Sequence, residues 1–416
     1  MTPALLFLAQ ATLLIVAPFL LWRLAGLRRI VPMVVVQILF GIALGPSILG
    51  AVAPQAWAVL FAPDALAPLS GLAWLAVIFF AFLTGLHVDT TEFRERPGAL
   101  VAVGLSSLAV PTLLGAVVGL AVVDRIPAMA GPAATPLLFA AGFGVAIGVT
   151  ALPVLGAILR EMGLLEQRVG RLALSYAAVN DAALWLLVTA VLAWASGRGA
   201  GFGGVAVVAV LGVAYGAAMV FVVRPLLEWL MARLAPGGHP GEEAVMTACA
   251  VLLVSAAVTE AIGLHYVLGA FVAGTIMPKA PAAALRQRLD TVATLVLLPF
   301  FFTLTGLRVT LDLGAGGPWV VFALATATAL AGKIAGTALP ALLAGESRAD
   351  AWRLGALMSC KGLMEVVVLT ILLDAGVLAP AGFSALVLMA LATTALTRPL
   401  TLLAGRPAGR PAGRDG

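Results

Sequence analysis

Along this chain polar residues come in short clusters and apolar residues in long runs. Thirteen apolar runs stand out, at approximately 4–22, 30–50, 68–87, 100–123, 137–159, 172–195, 204–223, 243–262, 264–278, 291–309, 318–344, 354–374 and 378–403. Most approach the roughly 20 residues a helix needs to cross about 30 Å of hydrocarbon. The period-2 alternation of an outer-membrane barrel is missing. The pattern therefore predicts an all-α polytopic membrane protein of about thirteen transmembrane helices. Composition agrees, with 62% hydrophobic and only 10% charged residues, against roughly a quarter charged in soluble domains. Residues 1–23 lack a basic start and a small-residue cleavage site, so the first run reads as a retained helix. Cys249 and Cys360 both fall inside apolar runs, which argues against a disulfide framework.

The basic residues orient the runs. With the N-terminus outside, Arg23, Arg28, Arg29, Arg94, Arg96, Arg160, Arg168, Arg171, Arg224, Arg233, Lys279, Arg286, Arg288, Arg348, Arg353 and Arg398 share one side, and Arg125, Arg198 and Arg308 the other. Short cytoplasmic loops retain Lys and Arg. The expectation is a multi-pass protein of the cell membrane with its N-terminus outside and its C-terminus, a basic flexible tail at 404–416, in the cytoplasm.

An internal repeat is visible. FFAFLTGLHVD at 79–89 and FFFTLTGLRVT at 300–310 agree at seven of eleven positions and end the third and tenth runs. Seven runs is an odd number, so the copies point in opposite directions. Inverted repeats of this kind build secondary transporters, with binding sites near the midplane. The chain then reads as one transmembrane unit over 1–403, with repeats at about 1–195 and 243–403 and a linker helix at 204–223. Helix-breaking residues interrupt the related fifth and twelfth runs, GVTALPV at 148–154 and SCKGL at 359–363. Backbone freed at membrane depth must face protein or a wet cavity, so two crossed, discontinuous helices are expected.

The chemistry centres on SYAAVNDAALW at 175–185. Asp181 lies about ten residues into its run, near the bilayer centre at about 1.5 Å of rise per residue. A carboxylate there costs on the order of 3 kcal/mol to insert, and such residues mark ion or proton paths. Burial disfavours its charged form and a nearby cation favours it, so proton and metal cation can compete for it. The other charges at depth are Lys333, Lys361 and Glu365, with Glu260 nearer the external boundary. Lys361 and Glu365 are four residues apart, on one helix face, and are expected to pair; Lys333 has no local partner. His265 and Glu260 read as outer-interface residues. His87, His239 and His265 are too few and too scattered for a histidine metal cluster. GFGGVAVVAVLG at 201–212 opens a membrane run without a preceding strand, so it is no phosphate loop.

At this point the residues resemble a family. GIALGPSILG at 41–50, AAVNDAALW at 177–185, GLHYVLGAFVAG at 263–274, PFFFTLTGLRV at 299–309, GKIAGT at 332–337 and SCKGLMEVVVL at 359–369 are similar to the monovalent cation:proton antiporter superfamily, most of all to the branch with the plant cation/H+ exchangers. The resemblance implies a homodimer in which a core domain with crossed, interrupted helices moves like an elevator against a dimerisation domain. It makes Asn180 and Asp181 the family's adjacent polar pair, with Asp181 the ligand of the transported alkali cation. It also assigns Thr150 an oxygen-ligand role. Relatives with two aspartates are typically electrogenic, whereas an Asn–Asp pair is similar to electroneutral members. Lys333 matches a lysine that pairs with the first aspartate of two-aspartate relatives; here that position is Asn180.

The resulting expectation is a secondary antiporter, not an enzyme, exchanging Na+ or K+ for H+ one for one without a cofactor. Its partners are the ions and the lipid bilayer, with no nucleic acid. A sodium-coupled symporter of a small organic anion and a non-transporting sensor or channel remain open as alternatives. An intramembrane aspartyl protease would need a second aspartate at mid-depth.

Overall fold

The computed structural model describes residues 2–24, 26, 33–86, 97–165, 167–195, 202–311 and 316–403. His87, Arg28, Arg29, Arg94, Arg96, Arg198 and the 404–416 tail lie outside these residues. The described chain is almost entirely helical. It opens with α1 (Pro3–Leu24), α2 (Met33–Leu44), the short α3 (Leu49–Val52) and α4 (Pro54–Leu60), and α5 (Pro63–Leu86). Next come α6 (Pro97–Arg125), α7 (Pro136–Gly148), α8 (Leu152–Glu161) and α9 (Arg168–Ala195). Helix α10 (Phe202–Ala218) runs through a π segment into α11 (Arg224–Leu234). The second half holds α12 (Glu242–Ala261), α13 (Tyr266–Thr275), α14 (Lys279–Val292), α15 (Leu298–Leu307), α16 (Gly316–Leu343), α17 (Arg348–Met358), α18 (Leu363–Asp374) and α19 (Pro380–Leu402).

Among the described residues ten helices are long and apolar enough to cross a membrane. Two further expected runs are broken helices, α7 with α8 and α17 with α18. A third, α13, has ten residues, about 15 Å of rise and half the hydrocarbon depth. Two boundaries differ from expectation, and in the first the linker run expected at 204–223 continues through the π segment to Leu234. The run expected at 291–309 begins far earlier, because Lys279–Leu307 is one helix across a π segment. KAPAAALRQRLDTV is too charged to read as apolar, yet its Ala, Leu, Arg and Gln are strong helix formers.

Packing sorts the helices into two bundles. Helices α1, α2, α5, α12, α13 and α15 pack on one another, and α6, α7, α9 and α16 to α19 form a second group. Within the first bundle the two copies of the sequence repeat make matched contacts. A Cβ on Gly85 of α5 would lie 2.2 Å from the Phe271 carbonyl oxygen of α13, and one on Gly306 of α15 would lie 2.3 Å from the Ile38 carbonyl oxygen of α2. Only glycine lets these backbones meet, which is why the TGL triplet stands in both copies. Helix α15 meets α18 where the bundles adjoin. A cavity of about 1030 Å³ lies there, lined by Trp74, Leu192, Tyr266, Phe301, Thr370 and Asp374 among others.

Candidate ion-binding site

The two broken helices touch at their breaks. Thr150, between α7 and α8, donates its hydroxyl to the Met358 carbonyl at 2.9 Å, and the Ala151 N–H donates to the Cys360 carbonyl at 3.2 Å. On one side α7 ends at Gly148, followed by Val149 in an extended conformation, and on the other Gly362 at φ 155° interrupts the helix. The freed carbonyls at the end of α7 converge on one ammonium. Lys361 donates to the carbonyls of Ala146 at 3.0 Å, Ile147 at 2.9 Å and Val149 at 3.2 Å, and to Glu365 Oε2 at 2.8 Å. Both charged side chains are fully buried. An ammonium at the C-terminal end of a helix also meets the negative end of its dipole. Thr394 of α19 holds the same backbone, accepting from the Lys361 N–H and donating to the Lys361 carbonyl.

Asn180 and Asp181 sit on α9, both at 0% exposure. Neither carboxylate oxygen of Asp181 has a hydrogen-bond partner, and neither has Asn180 Oδ1. Three orphaned oxygens on consecutive buried residues are unusual, because buried polar atoms nearly always find partners. Asn180 Nδ2 donates to Ser107 Oγ of α6 at 3.2 Å.

Lys333 of α16 is fully buried and donates to the backbone carbonyl of the same Ser107 at 2.9 Å. That carbonyl is available because Pro111, four residues on, has no N–H to give it. Gly332 and Gly336 let α16 close on α6 at Pro111, since a Cβ on Gly332 would stand 2.8 Å from Pro111 Cα. Lys333 and Asn180 thus meet at Ser107 rather than at each other, and no hydrogen bond joins Lys333 to Asp181.

Thr150 shares no hydrogen bond with Asp181 either; its hydroxyl proton is committed to the break. On α9, Trp185 Nε1 and Thr189 Oγ1 follow Asp181 at four and eight residues, and both lack partners. Leu192, three residues further, lines the cavity between the bundles. Glu260 and His265 lie away from this centre: Glu260 Oε2 accepts from the Tyr266 N–H at 3.0 Å and His265 Nδ1 from the Val267 N–H at 3.4 Å. Among the described residues no group of three or more His, Cys, Asp or Glu could hold a metal ion. The arrangement suits a single carboxylate that takes one small cation or one proton. The sequence reading missed Ser107, Pro111 and Thr394. A proline inside an apolar run with a serine four residues before it is the signal that could have found the first two.

Comparison with known proteins gives this geometry its context. Residues 11–402 match the family model described as sodium/hydrogen exchanger, transmembrane. The chain is 36% identical over 380 residues to Cation/H(+) antiporter 18 of Arabidopsis thaliana, covering 91% of this chain and 46% of that protein. It spans about half the length of the first curated relatives it matches. With Na(+)/H(+) antiporter NhaS4 of Synechocystis it is 31% identical over 376 residues, 89% of this chain and 90% of the relative. The solved sodium proton antiporter MjNhaP1 from Methanocaldococcus jannaschii shares its fold, with a TM-score of 0.66, 12% identity, and coverage of 98% of this chain and 100% of that one. This multi-pass helical membrane protein belongs to the sodium/hydrogen exchanger family.

Proposed function

We propose that the chain exchanges a monovalent cation, Na+ or K+, for H+ at Asp181. The observation that carries this reading is a carboxylate at 0% exposure with both oxygens unpartnered. Holding an uncompensated carboxylate in a low-dielectric interior costs several kcal/mol. A proton or a hard alkali cation relieves that cost, and the two exclude each other. Relatives named as cation/H(+) and Na(+)/H(+) antiporters support the same chemistry.

In this reading Asn180 supplies a neutral amide oxygen beside Asp181 and leaves one titratable carboxylate, so exchange is one for one. Lys333, already bonded to the Ser107 carbonyl, remains a spectator. Thr150 lends its hydroxyl lone pairs and the nearby carbonyls of the break. Lys361 and Glu365 hold the break together. The second bundle slides against the first, elevator-fashion, and on one side ions travel past Trp185 and Thr189 to the cavity at Leu192. The protein works as a homodimer in the cell membrane, N-terminus outside and C-terminus in the cytoplasm, as a transporter that needs no cofactor and is not an enzyme.

The test is cation-driven proton flux in proteoliposomes. Asp181→Asn keeps the size and removes the charge, so the variant should insert and fold yet show no exchange. Persisting exchange in that variant would end the proposal.

A further inference from the structure

Ser107 of α6 touches both Asn180 of α9 and Lys333 of α16, and its hydroxyl has one proton to place. That proton goes to the Gly104 carbonyl at 2.7 Å, one turn back on α6. Toward Asn180 the hydroxyl therefore offers only lone pairs, and only the NH2 end of the amide can face it. The 3.2 Å contact from Asn180 Nδ2 fixes the amide's orientation, and with it the direction of Oδ1. Reversal would set Oδ1 against a hydroxyl oxygen whose proton is already committed, which is repulsive.

The close approach that allows this contact is built into the backbone. Gly104 lies against Val179, the residue before Asn180, and a Cβ at 104 would stand 2.6 Å from Val179 Cβ. The Ser107 carbonyl is engaged as well, by the Lys333 ammonium at 2.9 Å. One residue of α6 thus fixes an amide through its side chain and a buried ammonium through its backbone.

We infer that Ser107 is a positioning residue for the transported cation, holding Asn180 with its unpartnered amide oxygen, rather than its NH2, available beside Asp181. An amide turned the other way would present N–H donors to a cation and repel it, whereas the proton-loaded state of Asp181 would be less affected. The inference rests on the reading of Asn180 and Asp181 as the exchange site. It adds a determinant of cation affinity on a helix that carries no cation ligand.

The experiment compares Ser107→Ala with the native protein for proton flux against Na+ and K+ concentration, and for calorimetric binding of the same ions in detergent. Losing one hydrogen bond and the amide's fixed orientation should raise the half-saturating cation concentration about tenfold, with maximal rate within about twofold of native. Ser107→Thr retains the hydroxyl and should restore the half-saturating concentration to within about threefold. In an Asn180→Ala background, Ser107→Ala should add nothing further. If Ser107→Ala fails to fold, Ser107→Cys replaces it, since a thiol is a poor acceptor and should shift cation affinity the same way. An unchanged half-saturating concentration overturns the inference, and so does a lower melting temperature and rate with no shift in affinity. Absence of exchange in the native protein would end the antiport reading instead, and the binding titrations would still decide the role of Ser107.

Discussion

The Lys361 ammonium shares its three protons among four acceptors within hydrogen-bond distance, the carbonyls of Ala146, Ile147 and Val149 and the carboxylate of Glu365. Its two kinds of partner predict unequal costs on removal. Glu365→Gln deletes one charged bond but leaves the ammonium on three carbonyls at the end of α7. Its cost should be about 2 kcal/mol, the scale of one hydrogen bond to a charged group. Lys361→Met strands the Glu365 carboxylate, whose Oε1 already lacks a partner, and leaves three carbonyls unmet. Stranding one member of a buried pair costs about 3–5 kcal/mol by itself. The double variant removes the stranded charge and should be more stable than Lys361→Met by about 2 kcal/mol. Thermal unfolding of purified protein at one scan rate gives the order: native, Glu365→Gln, double variant, Lys361→Met. Native-like unfolding of Lys361→Met, or a double variant weaker than Lys361→Met alone, would refute the reasoning. A well-folded Glu365→Gln protein with no exchange would instead move that residue into the transport site.

Two more predictions test the node at Ser107. Pro111→Ala restores an N–H that competes with Lys333 for the Ser107 carbonyl, so relieving the proline should not give the gain of about 3 kcal/mol expected for a helix interior; a melting temperature raised by that full amount would contradict the proposed role of Pro111. Gly104→Ala should drive α9 away from α6 at Val179, lowering melting temperature and exchange together, and adding Val179→Gly, which removes the Cβ that the new methyl meets, should restore part of both; no recovery in the pair would place the damage elsewhere.

Much of this was legible in the chain because the bilayer imposes a length and an orientation rule. The apolar runs show the helices, and the shared TGL triplet shows the repeat, although only the fold reveals that its glycines meet α13 and α2. Asp181 announces itself as a charge where hydrocarbon forbids one. The start of the long helix at Lys279 was not legible, since charged helical turns outside the membrane look like loops to a hydropathy reading. Ser107 was hidden for a different reason. Serine is common and inexpensive in a membrane helix, and its importance here comes from three partners, Gly104, Asn180 and Lys333, that no local pattern connects. Lys361 was readable as a partner of Glu365 from spacing alone, but its three carbonyl acceptors lie more than 200 residues away in sequence.

The two lysines share a logic that bears on the stoichiometry. Each buried ammonium sits on carbonyls that helical hydrogen bonding leaves open: Lys361 on the end of α7, Lys333 on the carbonyl for which Pro111 has no N–H. Neither donates a hydrogen bond to Asp181. Among the described residues Asp181, Lys333, Lys361 and Glu365 are the acidic and basic side chains at 0% exposure, and with all four charged their sum is zero. Loading Asp181 with a proton or with an alkali cation adds one charge in either case. On the proposed mechanism the two loaded forms therefore cross the membrane with equal charge, and a full cycle moves none. A potential of 100 mV, worth about 2.3 kcal/mol per net charge moved, then has nothing to act on. A second carboxylate at position 180 would break this equality. It would add a second titratable charge beside the first, so a form loaded with two protons and a form loaded with one cation would differ by one charge, and exchange would respond to the potential.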